Sequence, residues 1–537
     1  MSELKLFEQI CLAMADPGFY PHRVSTLERV DTHISTVFLT GDFVYKLKKP
    51  VDFGFLDYTG LETRRRMCEL EVSLNQRLSH DVYLGVVPIS RAGSAAYRFG
   101  DGGEVLEYAV KMRQLPDEFC LANLIADGKV GQDEMLCLGR LLAGFYAGTE
   151  RDSRIDCYGG REVLKFNTEE NFRQLGPFVG KLLRKDRFDF VMEASRGFFK
   201  DSESVFQRRI ADGRTCDGHG DLRAEHIYFL ERIQIIDCIE FNERFRYGDA
   251  AIDLAFLHMD VERLGRSDLS LSVLNGYMES SRDYGIYAML DFYSCYRAIV
   301  KMKISCLSAT ELEEGARKRV MEERAGNYLD LAFRYAVQFA RPTLWVFCGL
   351  PATGKSTYAV RLREIFDITL IRSDHVRKEL PEYHAYRGPA SFGTGVYRLD
   401  LRGLVYGRLL LMAQEELKDG RSVILDATFS KQKWREETMR LARDLDVNIL
   451  FVECACSHAV MLDRLGRRLD PGYDGMSDAG PEHLPGFLAE FEDLHELSAD
   501  LHIKVDTEKD IDANLRDILS SAYAKKRAQV EQVIEQL

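Results

Sequence analysis

The sequence has little of what marks secreted, membrane-spanning or generally nucleic-acid-binding chains. No window approaches about 18 consecutive apolar residues, the minimum for a membrane-spanning helix, so no membrane partner is expected. The amino-terminal stretch carries Glu3, Lys5, Glu8 and Asp16 among its apolar residues, which predicts a first helix and not a secretion signal. A formal net charge of −13 provides no uniform basic field to attract nucleic acid.

The cysteines and histidines lack the spacing of a disulfide framework or a zinc site. Among the twelve cysteines only Cys454 and Cys456 lie close together, which fits neither paired disulfides nor two CxxC knuckles. His33, His80 and His258 have no partners at metal-ligand spacing. We therefore expect a soluble protein of the reducing cytoplasm, and nothing in the sequence argues for zinc.

Length and patterning predict at least two domains, because 537 residues with 46% hydrophobic content exceed one ordinary core. Residues 32–50 alternate β-branched and aromatic side chains around a Thr-Gly-Asp turn, which predicts a hairpin. Residues 61–78 place apolar side chains at three- and four-residue spacing, which predicts an amphipathic helix. Strand-like segments at 82–89 and 105–112, then mostly helical periodicity to about Ala340, predict a small sheet lobe, a larger helical lobe and a cleft.

A domain boundary is predicted at Arg341-Pro342. The segment Thr310–Ala340 is helical in pattern until the proline, which disfavours helical geometry in the residue before it. Beyond it, TLWVFCGL is typical of a short buried strand, and the alternation of strand and helix patterns that follows predicts a parallel sheet. The predicted domains are residues 1–340 and 341–537, and the predicted fold class is α/β and α+β.

The segment GLPATGKST, from Gly349 to Thr357, satisfies GxxxxGK[ST] directly after an apolar strand and before a helix-like segment. Such a P-loop turns successive N–H groups and a helix amino terminus toward phosphates. Lys355 would bridge the β- and γ-phosphates of ATP, and Ser356 would supply a hydroxyl for Mg²⁺. A chance glycine turn is the alternative, which the strand and helix context disfavours. The predicted nucleotide-binding residues are Gly349, Thr353, Gly354, Lys355, Ser356 and Thr357.

The next predicted strand ends at Ser373-Asp374, at the edge where α/β sheets bind substrates. The Asp374 carboxylate would accept a proton from an acceptor hydroxyl, and Arg377, one turn later, would orient the acceptor or hold its phosphate. The alternative is that Asp374 only caps the following helix.

Two further segments complete this constellation. SVILDATF is an apolar strand ending in Asp426, the pattern of a Walker B carboxylate that holds Mg²⁺. Arg464, Arg467 and Arg468 lie on a helix-like segment from which guanidinium groups would close over the transferring phosphoryl. The alternative for these arginines is a solvated helix face.

Residues from about Thr343 to Thr507 resemble the small P-loop kinases grouped with polynucleotide kinase, zeta toxins, chloramphenicol phosphotransferase and gluconate kinase. The resemblance rests on GLPATGKST, SDHVRK, LDATF and the arginine segment. It implies that Asp374 is the general base and Arg377 an acceptor-site residue, and it leaves the acceptor open because acceptors differ across the group.

The amino-terminal half carries a second constellation, in which HGDL ends at Leu222 and Asp237 follows Asp221 by 237 − 221 = 16 positions. In kinase-type phosphoryl transfer one aspartate accepts the hydroxyl proton and a second coordinates Mg²⁺, and Asp221 and Asp237 fit those roles. Lys46 would reach the α- and β-phosphates, held by Glu71 of the following helix, with Glu69 as the alternative.

This pattern resembles the aminoglycoside phosphotransferase family, whose fold is that of eukaryotic-like protein kinases, over most of residues 1–340. The family usually shows HGDLHxxN, whereas this chain reads HGDLRAEH, so His226 stands where the metal-binding asparagine is expected. Histidine prefers softer ions than Mg²⁺. By the same likeness, Asp253 is expected to brace the catalytic loop.

The arrangement of an aminoglycoside-phosphotransferase-like half followed by a P-loop kinase half resembles a class of bacterial two-domain kinases along nearly the whole chain. That resemblance implies an ATP- and Mg²⁺-dependent phosphotransferase in which both halves act on hydroxyl groups of small molecules. Two alternatives stay open: a P-loop kinase of nucleic acid ends, and an amino-terminal half that binds a ligand and regulates without catalysis.

Overall fold

The computed structural model describes residues 3–54, 56–92, 96–381, 399–468 and 479–536. The chain divides into two compact units, one formed by residues 1–163 with 210–281 and the other by residues 164–209 with 282–537. These units group residues by their internal packing. The division into domains at 340 and 341 stays a prediction.

Both strands and helices form along the described residues. In chain order, the strands are β1 (Glu28–Asp31), β2 (Ser35–Leu39), β3 (Phe43–Lys48), β4 (Tyr83–Ala92), β5 (Ala96–Phe99), β6 (Glu104–Arg113), β7 (Thr215–Asp217), β8 (Ile227–Phe229), β9 (Ile233–Ile235), β10 (Tyr247–Asp249), β11 (Thr343–Cys348), β12 (Thr369–Arg372), β13 (Val423–Asp426), β14 (Asn448–Ala455) and β15 (His502–Asp506). The helices are α1 (Glu3–Met14), α2 (Leu61–Asn75), α3 (Leu121–Ala126), α4 (Gln132–Gly148), α5 (Ser153–Asp156), α6 (Arg161–Leu175), α7 (Lys185–Asp201), α8 (Glu203–Ala211), α9 (Glu243–Arg246), α10 (Ala250–Arg263), α11 (Ser267–Ser281), α12 (Ile286–Glu311), α13 (Ala316–Ala340), α14 (Lys355–Phe366), α15 (Ser373–Glu379), α16 (Leu399–Lys418), α17 (Gln432–Asp444), α18 (His458–Arg467), α19 (Leu484–Glu490) and α20 (Ile511–Gln536).

A six-stranded antiparallel sheet in the order β1-β2-β3-β6-β4-β5 begins the first unit. The predicted hairpin is the pair β2 and β3, and the predicted amphipathic helix is α2. One face of the sheet is covered by α1, whose Phe7 and Ile10 are buried with Phe38 and Tyr45 of the hairpin. The alternation of β3 therefore places Tyr45 and Leu47 on the face that α1 covers and Val44, Lys46 and Lys48 on the other face, where Val44 packs against a second buried cluster.

The helical part of the first unit contains an unusually close crossing of α4 and α11. A Cβ added at Gly139 would lie 2.1 Å from the carbonyl oxygen of Val273, and one added at Gly276 would lie 2.1 Å from that of Leu136. Glycine at both positions therefore permits the helices to approach. The hairpin of β8 and β9 lies between Asp221 and Asp237.

The second unit contains a five-stranded, wholly parallel sheet in the order β12-β13-β11-β14-β15. Every residue of the central strand β11 is buried, because a strand between two parallel neighbours with helices on the sheet faces has no solvated side. The predicted fold class, a two-lobed α+β part followed by a parallel α/β sheet, is confirmed.

The helix predicted from Thr310 to Ala340 is wrong in one respect, because α12 ends at Glu311 and α13 begins at Ala316. Leu312 is extended, and Gly315 is extended as well, with φ 163°. Glycine has low helix propensity and no side chain to cap the next helix, which explains the break. Within the described residues, no helix is both long and apolar enough to cross a membrane.

Candidate nucleotide and phosphoryl-transfer sites

The P-loop joins β11 to α14 through a turn that needs left-handed backbone conformations. Gly349 and Gly354 have φ of 129° and 90°, and Ala352 between them has 64°. A Cβ at Gly349 would lie 2.3 Å from the carbonyl oxygen of Cys454, so this position accepts only glycine without a backbone shift. Because α14 begins at Lys355, its first N–H groups and positive dipole end lie at the loop, as an anion site requires.

Ser356 and Asp426 come together below the loop. The Ser356 hydroxyl donates to Asp426 Oδ2 at 2.6 Å, and Arg372 Nε lies 3.3 Å from the same oxygen. The two oxygen-bearing side chains meet because β11 and β13 are parallel neighbours whose carboxyl ends align. A hydroxyl and a carboxylate are the hard oxygen ligands that Mg²⁺ prefers, so this pair fits the ion.

Lys355 is held within the loop and is nearly buried. Its Nζ donates to the carbonyl oxygen of Leu350 at 2.6 Å. Burial lowers the pKa of Lys355, and the charge of Asp426 opposes that change. A phosphate in the loop would give this ammonium the counter-charge that burial makes necessary.

Asp374 and Arg377 form an ion pair of 3.0 Å on α15. The N-cap position of this helix is Arg372, and no side-chain capping bond is formed there. Asp374 therefore lies within the first turn of the helix and does not occupy the capping position that the alternative interpretation requires.

The three arginines of the predicted lid lie in different environments. Arg464 Nη1 donates to the carbonyl oxygen of Ala352 at 3.2 Å and to Thr507 Oγ1 at 3.0 Å, which ties α18 to the P-loop. Arg467 is mostly exposed and pairs with Asp463 at 2.8 Å. Arg468 lines the same cavity as Lys355. Which of the three contacts the transferring phosphoryl stays a prediction.

A cavity of about 530 Å³ contains these groups together. It is lined by residues that are predicted from the sequence, namely Lys355, Ser356, Asp374, Arg377, Asp426, Arg464, Arg467 and Arg468. Sequence reasoning missed other lining residues: Arg372, Arg402, Tyr406, Lys431, Trp434 and Thr507. Tyr406 and Trp434 are stacked with ring centroids 4.9 Å apart, so the cavity has an aromatic wall as well as cationic groups.

In the first unit, Lys46 on β3 lies between two carboxylates. Its Nζ is 2.7 Å from Asp237 Oδ1 and 2.9 Å from Glu71 Oε1. Glu69, the alternative partner, instead pairs with Arg65 at 3.0 Å on the exposed face of α2. Burial opposes the charge on Lys46, but Asp237 and Glu71 outweigh it and hold the pKa of the ammonium well above its ordinary value.

The loop that carries Asp221 is braced from α10. Asp253 Oδ2 accepts from the backbone N–H of His219 at 2.6 Å, and Asp253 Oδ1 accepts from that of Gly220 at 2.9 Å. Gly220 has φ 87°, a left-handed conformation that favours glycine. Asp253 therefore fixes the backbone from which Asp221 projects.

Asp221, His226 and Asp237 offer ligand atoms within 4.8 Å of one another. Burial opposes the ionisation of Asp237, but the charge of Lys46 outweighs it and holds the pKa of the carboxyl below its ordinary value. Burial lowers the pKa of His226 to about 4, so the ring is neutral at pH 7. Asp237 thus fits a hard divalent cation as an ionised oxygen ligand, whereas His226 offers only a nitrogen.

Two sets of residues that contact the predicted site residues of the first unit were not predicted from the sequence. Lys48 is fully buried between Glu71, at 2.7 Å, and Glu240, which also accepts from Tyr58 at 2.7 Å. Arg223 contacts both Asp221 oxygens. The lysine pair in KLKK and the arginine in HGDLRAEH were the available signals.

The fold and both sites define a class of chain. The first unit combines an antiparallel sheet, a lysine paired with a glutamate and a braced HGD loop, which are features that the resemblance to aminoglycoside phosphotransferases implies, and the second unit contains a P-loop domain. Residues 344–494 match the protein family described as AAA domain.

The chain is similar to uncharacterized protein Rv2004c of Mycobacterium tuberculosis strain H37Rv, with 33% identity over 454 residues, 84% of this chain and 87% of the relative. The chain belongs to the same family as this mycobacterial protein.

Among solved structures it is similar to a choline/ethanolamine kinase family protein from Mesorhizobium loti, at 11% identity and a TM-score of 0.37, over 61% of this chain and 99% of that one. It is also similar to a gluconokinase from Sinorhizobium meliloti 1021, at 18% identity and a TM-score of 0.25, over 36% of this chain and 97% of that one.

Proposed function

We propose that the protein is an ATP-dependent phosphotransferase that transfers the γ-phosphoryl group to a hydroxyl of a small molecule. The observation that carries the proposal is the shared cavity, in which the P-loop lysine, the Ser356–Asp426 pair and the Asp374–Arg377 pair lie together. A phosphate cradle, a magnesium-type oxygen pair and a carboxylate near an arginine are the parts that phosphoryl transfer needs.

Different residues of the P-loop site bind ATP and accept the proton of the acceptor hydroxyl. The P-loop N–H groups and Lys355 bind and orient the phosphates of ATP, and their positive charge is already in place when negative charge moves onto the leaving oxygen. Asp374 takes the proton of the acceptor hydroxyl while that oxygen bonds to phosphorus and the bond to the β-phosphate oxygen breaks, leaving ADP. Arg377 orients the Asp374 carboxylate through their 3.0 Å contact.

Mg²⁺ fits the Ser356 hydroxyl and the Asp426 carboxylate, which would hold it. When bound, it neutralises charge on the β- and γ-phosphates. Arg372 lies 3.3 Å from Asp426 and keeps this carboxylate oriented.

A second nucleotide site is proposed in the first unit, where Lys46 would contact phosphates, Asp237 would hold Mg²⁺ and Asp221 would be the base. Glu71 contacts both Lys46 and Lys48, so it retains a cationic partner when Lys46 turns to a phosphate. The alternative is that this unit binds nucleotide without turnover and regulates, which the contact of Arg223 with both Asp221 oxygens favours.

A nucleic acid end is the second candidate acceptor for the P-loop site. The cationic side chains Arg402 and Lys431 line the cavity beside Arg377 and favour it. Both already have acidic partners, since Arg402 pairs with Glu490 and Lys431 lies 3.1 Å from Glu492. A small-molecule acceptor therefore remains the leading proposal.

The division into domains 1–340 and 341–537 and a cytoplasmic location are also proposed. All twelve cysteines of the sequence are free in the structure, which agrees with a reducing compartment.

The proposal is tested by acceptor-dependent ADP release from the full-length protein across a panel of sugars, aminoglycosides, nucleosides and oligonucleotides with 5′-hydroxyl ends. Running the panel with Lys355→Ala and with Asp237→Asn assigns any activity to one site. Release stimulated by a small hydroxyl compound and lost in Lys355→Ala is expected. Stimulation by oligonucleotides alone would favour the second candidate, and ADP release that neither Lys355→Ala nor Asp237→Asn changes would contradict both.

A further inference from the structure

The guanidinium of Arg223 lies among the groups that would otherwise face a second metal ion in the first unit. Its Nε is 3.1 and 3.0 Å from the two oxygens of Asp221, and its Nη2 is 2.9 Å from His226 Nε2. Arg223 also pairs with Glu225. Two of the three groups that form the candidate metal cluster are therefore already bound by one cationic side chain.

His226 is consequently a poor ligand for a metal ion. Its Nδ1 lies 2.9 Å from the carbonyl oxygen of Asp221, which can only accept, so Nδ1 carries the proton. The neutral ring then has its lone pair on Nε2, and that lone pair accepts from Arg223 at 2.9 Å. Nitrogen is also a softer donor than Mg²⁺ prefers. His226, which stands where the metal-binding asparagine is expected, thus accepts a hydrogen bond from the Arg223 guanidinium and does not fit a second Mg²⁺.

The balance of charge leads to the same conclusion. The two carboxylates of the cluster, Asp221 and Asp237, are contacted by the cationic side chains of Arg223 and Lys46 respectively. An added divalent ion bound to Asp221 and His226 would lie within a few ångströms of a guanidinium that cannot lose its proton. Arginine can instead replace a point charge with several donors aimed at phosphate oxygens.

We propose that Arg223 supplies, in the nucleotide site of the first unit, the positive charge that a second divalent ion supplies in kinase-type sites, so that this unit binds its nucleotide with a single metal ion. The inference rests on the proposed nucleotide site of the first unit. Arg223 contacts the phosphates of the bound nucleotide while His226 orients its Nη2, and Asp237 holds the one ion.

The test uses the full-length protein with Lys355→Ala and Ser356→Ala, which weaken the P-loop site. Mn²⁺ is titrated in the presence of a non-hydrolysable ATP analogue, and free Mn²⁺ is followed by electron paramagnetic resonance. The ions lost on adding Asp237→Asn belong to the first unit, and we expect one per chain. Arg223→Gln should weaken binding of the analogue about 10- to 100-fold, the usual effect of losing hydrogen bonds between charged groups.

Two further variants separate charge from geometry and from folding. Arg223→Lys keeps the charge without the planar fork, so its affinity should lie between those of the parent and Arg223→Gln. Arg232, exposed in the turn between β8 and β9, gives the matched control, and Arg232→Gln should bind as the parent does.

Loss of two ions with Asp237→Asn would overturn the inference and leave the nucleotide site standing, as would an unchanged affinity in Arg223→Gln. If the parent binds no analogue that Asp237→Asn can remove, the two-site proposal fails and this inference fails with it.

Discussion

The hydroxyl of Ser356 donates a 2.6 Å hydrogen bond to Oδ2 of Asp426, although 70 positions separate the two residues along the chain. The contact joins the first turn of α14 to the end of β13, so one oxygen pair links the phosphate loop to the neighbouring strand. Asp426 is nearly buried and is also approached by Arg372. Removing either member of this pair would leave the other polar group short of a partner.

Lys355→Ala should reduce ATP turnover by the P-loop site by about 10²- to 10³-fold, because the ammonium stabilises charge on the transferring group. The measurement is steady-state ADP release by the full-length protein. Lys504→Ala, which removes an exposed lysine on β15, is the matched control and should leave turnover unchanged. Equal turnover in Lys355→Ala and the parent would remove Lys355 from the site.

Gly349→Ala should be much more damaging than Gly420→Ala, although both glycines have positive φ. An alanine Cβ at 349 would lie 2.3 Å from the carbonyl oxygen of Cys454, whereas one at 420 would meet nothing within 4 Å. We expect Gly420→Ala to cost about 1 kcal/mol from backbone strain alone and Gly349→Ala to cost about 3 kcal/mol from strain plus overlap. Thermal unfolding of both variants, with ATP affinity measured beside it, gives the comparison. Similar thermal midpoints would contradict the close approach.

Asp237→Asn should weaken metal-dependent nucleotide binding by the first unit and leave the P-loop site intact. An amide is a weaker ligand for a hard cation than a carboxylate, and it removes the charge that holds Lys46 at 2.7 Å. Calorimetry with Mg-ATP on full-length Lys355→Ala, with and without Asp237→Asn, measures the effect. Asp101→Asn, in an exposed turn of the same unit, is the control. Equal affinities would reject the role of Asp237.

Local sequence patterns are sufficient to predict the parts of both sites whose residues lie close together along the chain. The P-loop and the hairpin of β2 and β3 each depend on residues a few positions apart, and their geometry follows from glycine and alternation. Glu71 is the partner predicted for Lys46, and the structure places it on the buried face of α2 with Cys68 and Leu74. Positions three apart share a helix face, whereas Glu69 turns outward.

Contacts between distant segments could not be predicted in the same way. Lys48 meets Glu240 across 192 positions, and Tyr58 meets the same carboxylate across 182. The sequence shows a second lysine in KLKK and a glutamate after Asp237, and it offers no spacing that would join them. The packing of α7 and α12 against α13 likewise depends on tertiary contacts that helical periodicity does not specify.

The last prediction concerns Asp374, proposed as the base that takes the proton of the acceptor hydroxyl. Asp374→Asn keeps the size and hydrogen-bonding oxygen of the side chain but removes its ability to accept a proton. The protein should keep nearly the same thermal midpoint and ATP affinity. Acceptor phosphorylation should fall by about 10²- to 10⁴-fold, the usual range for loss of a general base. A loose transition state, in which the hydroxyl loses its proton late, places the loss at the lower end.

The ion pair with Arg377 provides the control that separates proton transfer from positioning. The two side chains lie 3.0 Å apart, so Asp374→Asn also releases Arg377, and a loss of acceptor binding would raise the KM for the acceptor. Arg377→Gln measures that effect alone, because Asp374 keeps its carboxylate. If Asp374 is the base, Asp374→Asn lowers kcat much more than Arg377→Gln does. Asp500→Asn, an exposed control in the same unit, should change neither kcat nor the KM for the acceptor. Equal kcat values in Asp374→Asn and Arg377→Gln would show that Asp374 acts by holding the arginine, and the base would then have to be another group in the cavity.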